Sequence, residues 1–134
     1  MQGKSHILVI DSDRINRAKI SLMVEKAGYE TSEGFNGIHA LEILKENHRI
    51  DAIILNRTLP SMMSSIDFMQ RIQALSPAIR KIPVIMLTDR AETNRIKASM
   101  IFGVSEVIYK PIDEMLLHKT LEKVLYKNKT SLYL

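Results

Sequence analysis

Five short strand-like runs, separated by stretches with helical spacing, constrain this chain more than any other feature of its 134 residues. They are HILVI (6–10), YETSE (29–33), DAIIL (51–55), PVIML (83–87) and EVIY (106–109). A short apolar run bounded by turn residues reads as a strand buried on both faces. YETSE is more polar and belongs at a sheet edge, and Pro83 suits the first residue of its strand. Between the runs the apolar period changes. Ile20, Met23, Val24 and Ala27 repeat at i, i+3, i+4 and i+7 in a helix predicted from Arg14 to Ala27, with Gly28 as its stop. Asn36-Gly37 is a turn opening a second helix, whose apolar face carries Ala40, Ile43 and Leu44. Phe68, Ile72 and Leu75 mark a third helix that stops before SPAIRKIP. Ile96, Met100 and Ile101 mark a fourth, closed by Gly103, and Leu117, Leu121 and Val124 a fifth. The tail KNKTSLYL (127–134) is expected to fray at first, although Leu132 to Leu134 are apolar enough to dock.

Five β–α units predict an α/β domain with a parallel sheet covered by helices on both faces. Right-handed crossovers leave few topologies, and the favoured one is a flavodoxin-like (βα)5 doubly wound sheet in strand order 2-1-3-4-5. The chain reads as a single domain over 1–134, without repeat or linker and with its core at about 5–126. Cysteine is absent, so no disulfide, thiolate metal site or thiol nucleophile exists. No apolar run approaches the ~18 residues of a spanning helix, and no signal-peptide pattern opens the chain. The expectation is a cytoplasmic protein without a membrane partner. The charge of +4, from 19 Lys+Arg against 15 Asp+Glu, is spread along the chain. No recognition helix exists beyond the core helices, so direct nucleic-acid binding is not expected.

Parallel strands place the residues that follow them on one edge. Asp11 follows the first strand, Asn56 the third, Thr88 the fourth and Lys110 the fifth. In the order 2-1-3-4-5 the first and third strands are neighbours at the switch point, so Asp11 and Asn56 should meet. An acid, an amide, a hydroxyl and an amine then converge on one crevice.

The segments ILVIDSDRINR, AGYETSEGFNGIHALEIL, DAIILNRTLP, PVIMLTD and GVSEVIYKPID, in this order and spacing, resemble the receiver domain of two-component response regulators over roughly residues 5 to 126. The resemblance implies a first strand ending in two consecutive acids that help bind Mg²⁺. It also implies a third strand ending in an aspartate that accepts a phosphoryl group from a histidine kinase, a Thr or Ser ending the fourth, and a Lys ending the fifth. Those positions fall on Asp11 and Ser12, then Asn56, Thr88 and Lys110.

Several positions depart from that pattern. The amide nitrogen of Asn56 is no nucleophile towards phosphorus, because its lone pair is delocalised. Ser12 replaces the second acid, leaving Asp13 one step on, where it suits the cap of the first helix. Mg²⁺ is usually held by one or two carboxylates with waters and phosphate. Asp11 and Asp13 therefore supply weak Mg²⁺ binding at most, and no other cofactor is expected. After Pro60, SMMSSID lacks the family's Asp-Gly turn; Asp89 stands where a small residue is usual, and Val107 where an aromatic is usual. Together these departures fit a naturally degenerate site better than one engineered Asp-to-Asn change. Lys110 is expected to donate to Asn56 and to pair with Asp11 and Asp89.

The leading functional expectation is a receiver-like module that is not phosphorylated and not an enzyme, acting by constitutive protein–protein interaction. Its expected face carries Lys97, Ile101, Val107, Tyr109, Lys119 and Lys123, for a histidine kinase or other signalling protein, an acidic partner or a second copy. One alternative is a phosphoswitch using Asp13, Asp89 or Thr58 as acceptor. Another is a flavodoxin-like cofactor binder, disfavoured because DSDRINR has no glycine or Ser/Thr-rich phosphate cradle. His6, His39, His48 and His118 lack metal-ligand spacing. The eight methionines suit core filling, with Met62 and Met63 expected beside the crevice and exposed.

Overall fold

The computed structural model describes residues 3–47, 49–60, 62–89 and 102–131. In chain order the elements are β1 (His6–Ile10), α1 (Arg14–Lys26), β2 (Glu30–Gly34), α2 (Gly37–Glu46), β3 (Ile50–Asn56), α3 (Ser65–Gln73), α4 (Pro77–Arg80), β4 (Val84–Thr88), β5 (Glu106–Tyr109) and α5 (Glu114–Ser131). All four strand pairings are parallel, in the expected order β2-β1-β3-β4-β5.

The period of two along the strands divides the core. Leu8, Ile10, Ile53, Leu55 and Met86 face one side and pack with Ala40 and Leu44 of α2 and Phe68 and Ile72 of α3. Ile7, Val9, Ile54, Ile85 and Ile108 face the other and pack with Ile20 and Val24 of α1 and Leu117, Leu121 and Val124 of α5. With both faces covered, the central strands have no polar face, which is why they read as continuous apolar runs.

Local chemistry fixes the helix starts. Asp13 is the N-cap of α1, its Oδ1 accepting from the backbone N–H groups of Ile15 (2.9 Å) and Asn16 (3.1 Å). Asn36 caps α2 by accepting from His39 N–H at 2.7 Å. Ser64 and Asp67 form a reciprocal capping box on α3. Replacing Asp13 with alanine leaves those N–H groups to water and is expected to cost about 1 kcal/mol, read as a lower urea midpoint with an unchanged slope. An unchanged midpoint would show that the cap carries no stability.

Three expectations need correction. α5 continues to Ser131, so residues 127–131 extend the helix instead of fraying. The segment SPAIRKIP contains the one-turn α4, started by Pro77 at its first position. Met62 is exposed as expected, but Met63 is buried against Gly37, where an added Cβ would meet the Met63 sulfur at 2.7 Å. The fourth predicted helix, with Ile96, Lys97, Met100 and Ile101, lies outside the described residues, as do His48 and Leu132 to Leu134.

Candidate functional site

The C-terminal edge of the sheet buries three polar side chains from adjacent strands: Asp11 after β1, Asn56 ending β3 and Thr88 ending β4. Asp11 is 5% exposed and Asn56 7%, so each must find partners within the protein. Asp11 Oδ1 accepts from the backbone N–H of Asp13 at 2.9 Å and, more weakly, from Asn56 Nδ2 at 3.4 Å. The same Asn56 nitrogen donates to the Thr58 carbonyl at 3.0 Å. The amide orientation follows from these neighbours, since both are acceptors and a carboxylate or carbonyl oxygen turned towards them would be repelled. Asn56 Oδ1 is buried and has no hydrogen-bond partner among the described residues.

The expected Lys110 contacts do not form. Lys110 donates nothing to Asn56, and no ion pair joins it to Asp11 or Asp89 among the described residues. Its backbone N–H is held by the Thr88 carbonyl at 2.8 Å, so β4–β5 pairing fixes the backbone while the long side chain spans the remaining gap only as a distant charge. Asp89 is exposed, and Thr88 Oγ1 donates weakly to its backbone carbonyl at 3.4 Å. Burial pushes the Asp11 carboxyl above the ordinary carboxylate value, and the Asp13 N–H, Lys110 and Arg17 oppose the shift only in part.

Arg17 is the residue that sequence reasoning missed. Its guanidinium donates to the Asp11 carbonyl at 2.8 Å and to Glu33 Oε1 at 2.8 Å, tying α1 to the ends of β1 and β2. The signal was its spacing: Arg17, Ser21 and Val24 repeat at i, i+4 and i+7, and the latter two are buried.

The residues present are a poor fit to a divalent cation. Asn56 turns its N–H₂ group, not a lone pair, towards Asp11, Ser12 brings no carboxylate, and one Asp13 oxygen, Oδ1, is spent on the helix cap. Among the described residues no group of three His, Cys, Asp or Glu side chains stands close enough to hold a metal.

The model of the family described as the response regulator receiver domain matches residues 7–122. The chain is 24% identical over 126 residues to the two-component response regulator ORR3 of Oryza sativa subsp. japonica, covering 94% of this chain and 95% of that protein. It is 27% identical over 125 residues to the transcriptional regulatory protein ZraR of Salmonella typhimurium, covering 93% of this chain but 27% of that longer protein. A response regulator receiver domain protein from Clostridium thermocellum superposes with a TM-score of 0.86 at 25% identity, covering 94% of this chain and 98% of that one. The chemotaxis protein CheY4 of Vibrio cholerae has the same fold, with a TM-score of 0.83 at 24% identity over 91% of this chain and 99% of that one. Five parallel strands in the order 2-1-3-4-5, polar residues gathered at their C-terminal edge and a family match spanning most of the sequence give one conclusion: this chain belongs to the response regulator receiver domain family.

Proposed function

We propose that this receiver domain serves two-component signalling without being phosphorylated, and acts by constitutive protein–protein interaction. The observation that carries the reading is the Asn56 amide bridging Asp11 and the Thr58 carbonyl at the end of β3. That bridge gives the buried carboxylate a donor without a cation. It also leaves no anionic oxygen at the position where the family presents its acceptor. Of the substitute acceptors, Asp13 commits its Oδ1 to the helix cap, while Asp89 and Thr58 are exposed on loops. Mg²⁺ binds weakly at most on this reading, through Asp11 and Asp13, and the domain has no phosphatase chemistry of its own.

The working face on this reading includes β5 and α5. Val107 and Tyr109 are half-buried and Lys119 is exposed, while Lys123 reaches Glu106 Oε1 at 2.6 Å, so its charge is partly answered within the chain. Lys97 and Ile101 lie outside the described residues. The partner is a histidine kinase or other signalling protein in the cytoplasm, or a second copy of the domain. No helix among the described residues is long and apolar enough to cross a membrane.

The test is intact-mass spectrometry after incubation with acetyl phosphate and millimolar Mg²⁺. The expected result is an unchanged mass. A stable adduct formed only with Mg²⁺ would overturn the reading, and peptide mapping to Asp13, Asp89 or Thr58 would establish the phosphoswitch instead.

A further inference from the structure

Beside the crevice, between α1 and the segment joining β5 to α5, lies a cleft of about 380 Å³. Its floor is apolar, built from Ile20 and Met23 of α1, Leu87 of β4 and Ile112. Exposed Lys19, half-buried Lys110 and the buried Asp11 also line it. Neither lysine forms an ion pair with a described residue, whereas nearby acids have internal partners: Glu33 with Arg17, Glu25 with Thr31 and Glu114 with Lys26. Asp11 commits Oδ1 to two internal donors, and no described group donates to Oδ2.

We infer that this cleft binds a small organic acid with an apolar, preferably aromatic, body and one hydrogen-bond donor at the far end. The volume lies at the lower end of the range for small-molecule sites, about 300–1,000 Å³. An apolar floor with a few convergent polar groups is the usual make-up of such a site. The anionic head answers Lys19 and Lys110. The body lies on Met23, whose flexible thioether adapts to planar groups. The donor reaches the uncommitted Asp11 oxygen. Because Asp11 is also hydrogen-bonded to Asn56, occupancy couples directly to the crevice. The inference does not depend on whether the domain is phosphorylated.

The probe is 4-hydroxyphenylacetate, titrated into the ¹⁵N-labelled 134-residue chain and followed by amide chemical shifts. Shifts are expected to cluster at residues 11–23 and 110–113, with a Kd at or below about 1 mM, as suits a fragment-sized ligand. Phenylacetate, without the hydroxyl, is expected to bind several-fold more weakly, and tyrosol, without the carboxylate, at least tenfold more weakly. Lys19→Glu is expected to abolish the shifts, and Met23→Trp to do the same by filling the cleft. Lys123→Glu, on the far side of α5, leaves them intact. Amide spectra of each variant without ligand establish that it is folded; if Met23→Trp is not, Lys19→Glu decides. No clustered shifts at 10 mM probe, or clustered shifts that survive Lys19→Glu, would overturn the inference.

Discussion

Asn56→Asp is expected to lower stability at neutral pH by about 2–4 kcal/mol and to make it dependent on Mg²⁺. The substitution turns a donor into an acceptor where both partners are acceptors, Asp11 Oδ1 at 3.4 Å and the Thr58 carbonyl at 3.0 Å. Two unit charges at such a distance repel by about 4 kcal/mol at an effective dielectric constant of 20, so one carboxylate is driven to hold a proton. Asp11 already sits above the ordinary carboxylate value through burial, and the new charge raises the pair further. The sign follows from linkage. A carboxyl raised in the folded state binds protons more tightly there than in the unfolded chain, so stability falls as pH rises through the raised value. The deficit of the variant is therefore greatest at neutral pH and shrinks on acidification towards the ordinary carboxylate range. Mg²⁺ offsets it by binding the folded form, adding RT ln(1 + [L]/Kd). Urea denaturation at pH 5 and pH 7, with and without 10 mM Mg²⁺, reads all three effects. Equal stability of variant and parent at pH 7 without metal would show that the Asn56 bridge contributes nothing.

Phe68→Ala is expected to cost about 3–5 kcal/mol, the range for truncating a buried aromatic side chain. Phe68 is fully buried and is the only aromatic among the largest completely enclosed side chains of the described residues. It lies one turn into α3, directly after the capping box, and belongs to the cluster of Leu55, Leu59, Met63 and Ile72. The cavity would therefore open beneath the loop that follows Asn56. The loss is a large share of the ~5–15 kcal/mol that stabilises an ordinary domain, with a fall in melting temperature on the order of 10–20 °C. Phe68→Leu should cost markedly less, because the remaining branched chain fills part of the space. A loss below about 1 kcal/mol for the alanine variant would mean that α3 collapses onto the sheet without hindrance.

Features governed by short-range rules were legible in the residues alone. Central strands buried on both faces must be apolar throughout, so HILVI, DAIIL and PVIML were legible as strands from composition alone. Once five such units alternate with helices, the handedness of crossovers leaves few strand orders, and the favoured one places Asp11 beside Asn56, as observed. Asp13 as a helix cap was legible because a cap needs only its own residue and the next three. The tertiary structure decided where contacts depend on distances between elements. Whether Asn56 offers its oxygen or its nitrogen depends on two acceptors brought from elsewhere in the fold. Lys110 has its backbone position fixed by β4, yet a flexible side chain at a strand end is not bound to pair with an acid at the end of another strand. Met62 and Met63 are indistinguishable in composition, and only the packing of the loop after β3 against Gly37 buries one and exposes the other. Helical spacing puts Arg17 on the face of Ser21 and Val24, but its partner Glu33 on β2 is set by sheet register and helix docking.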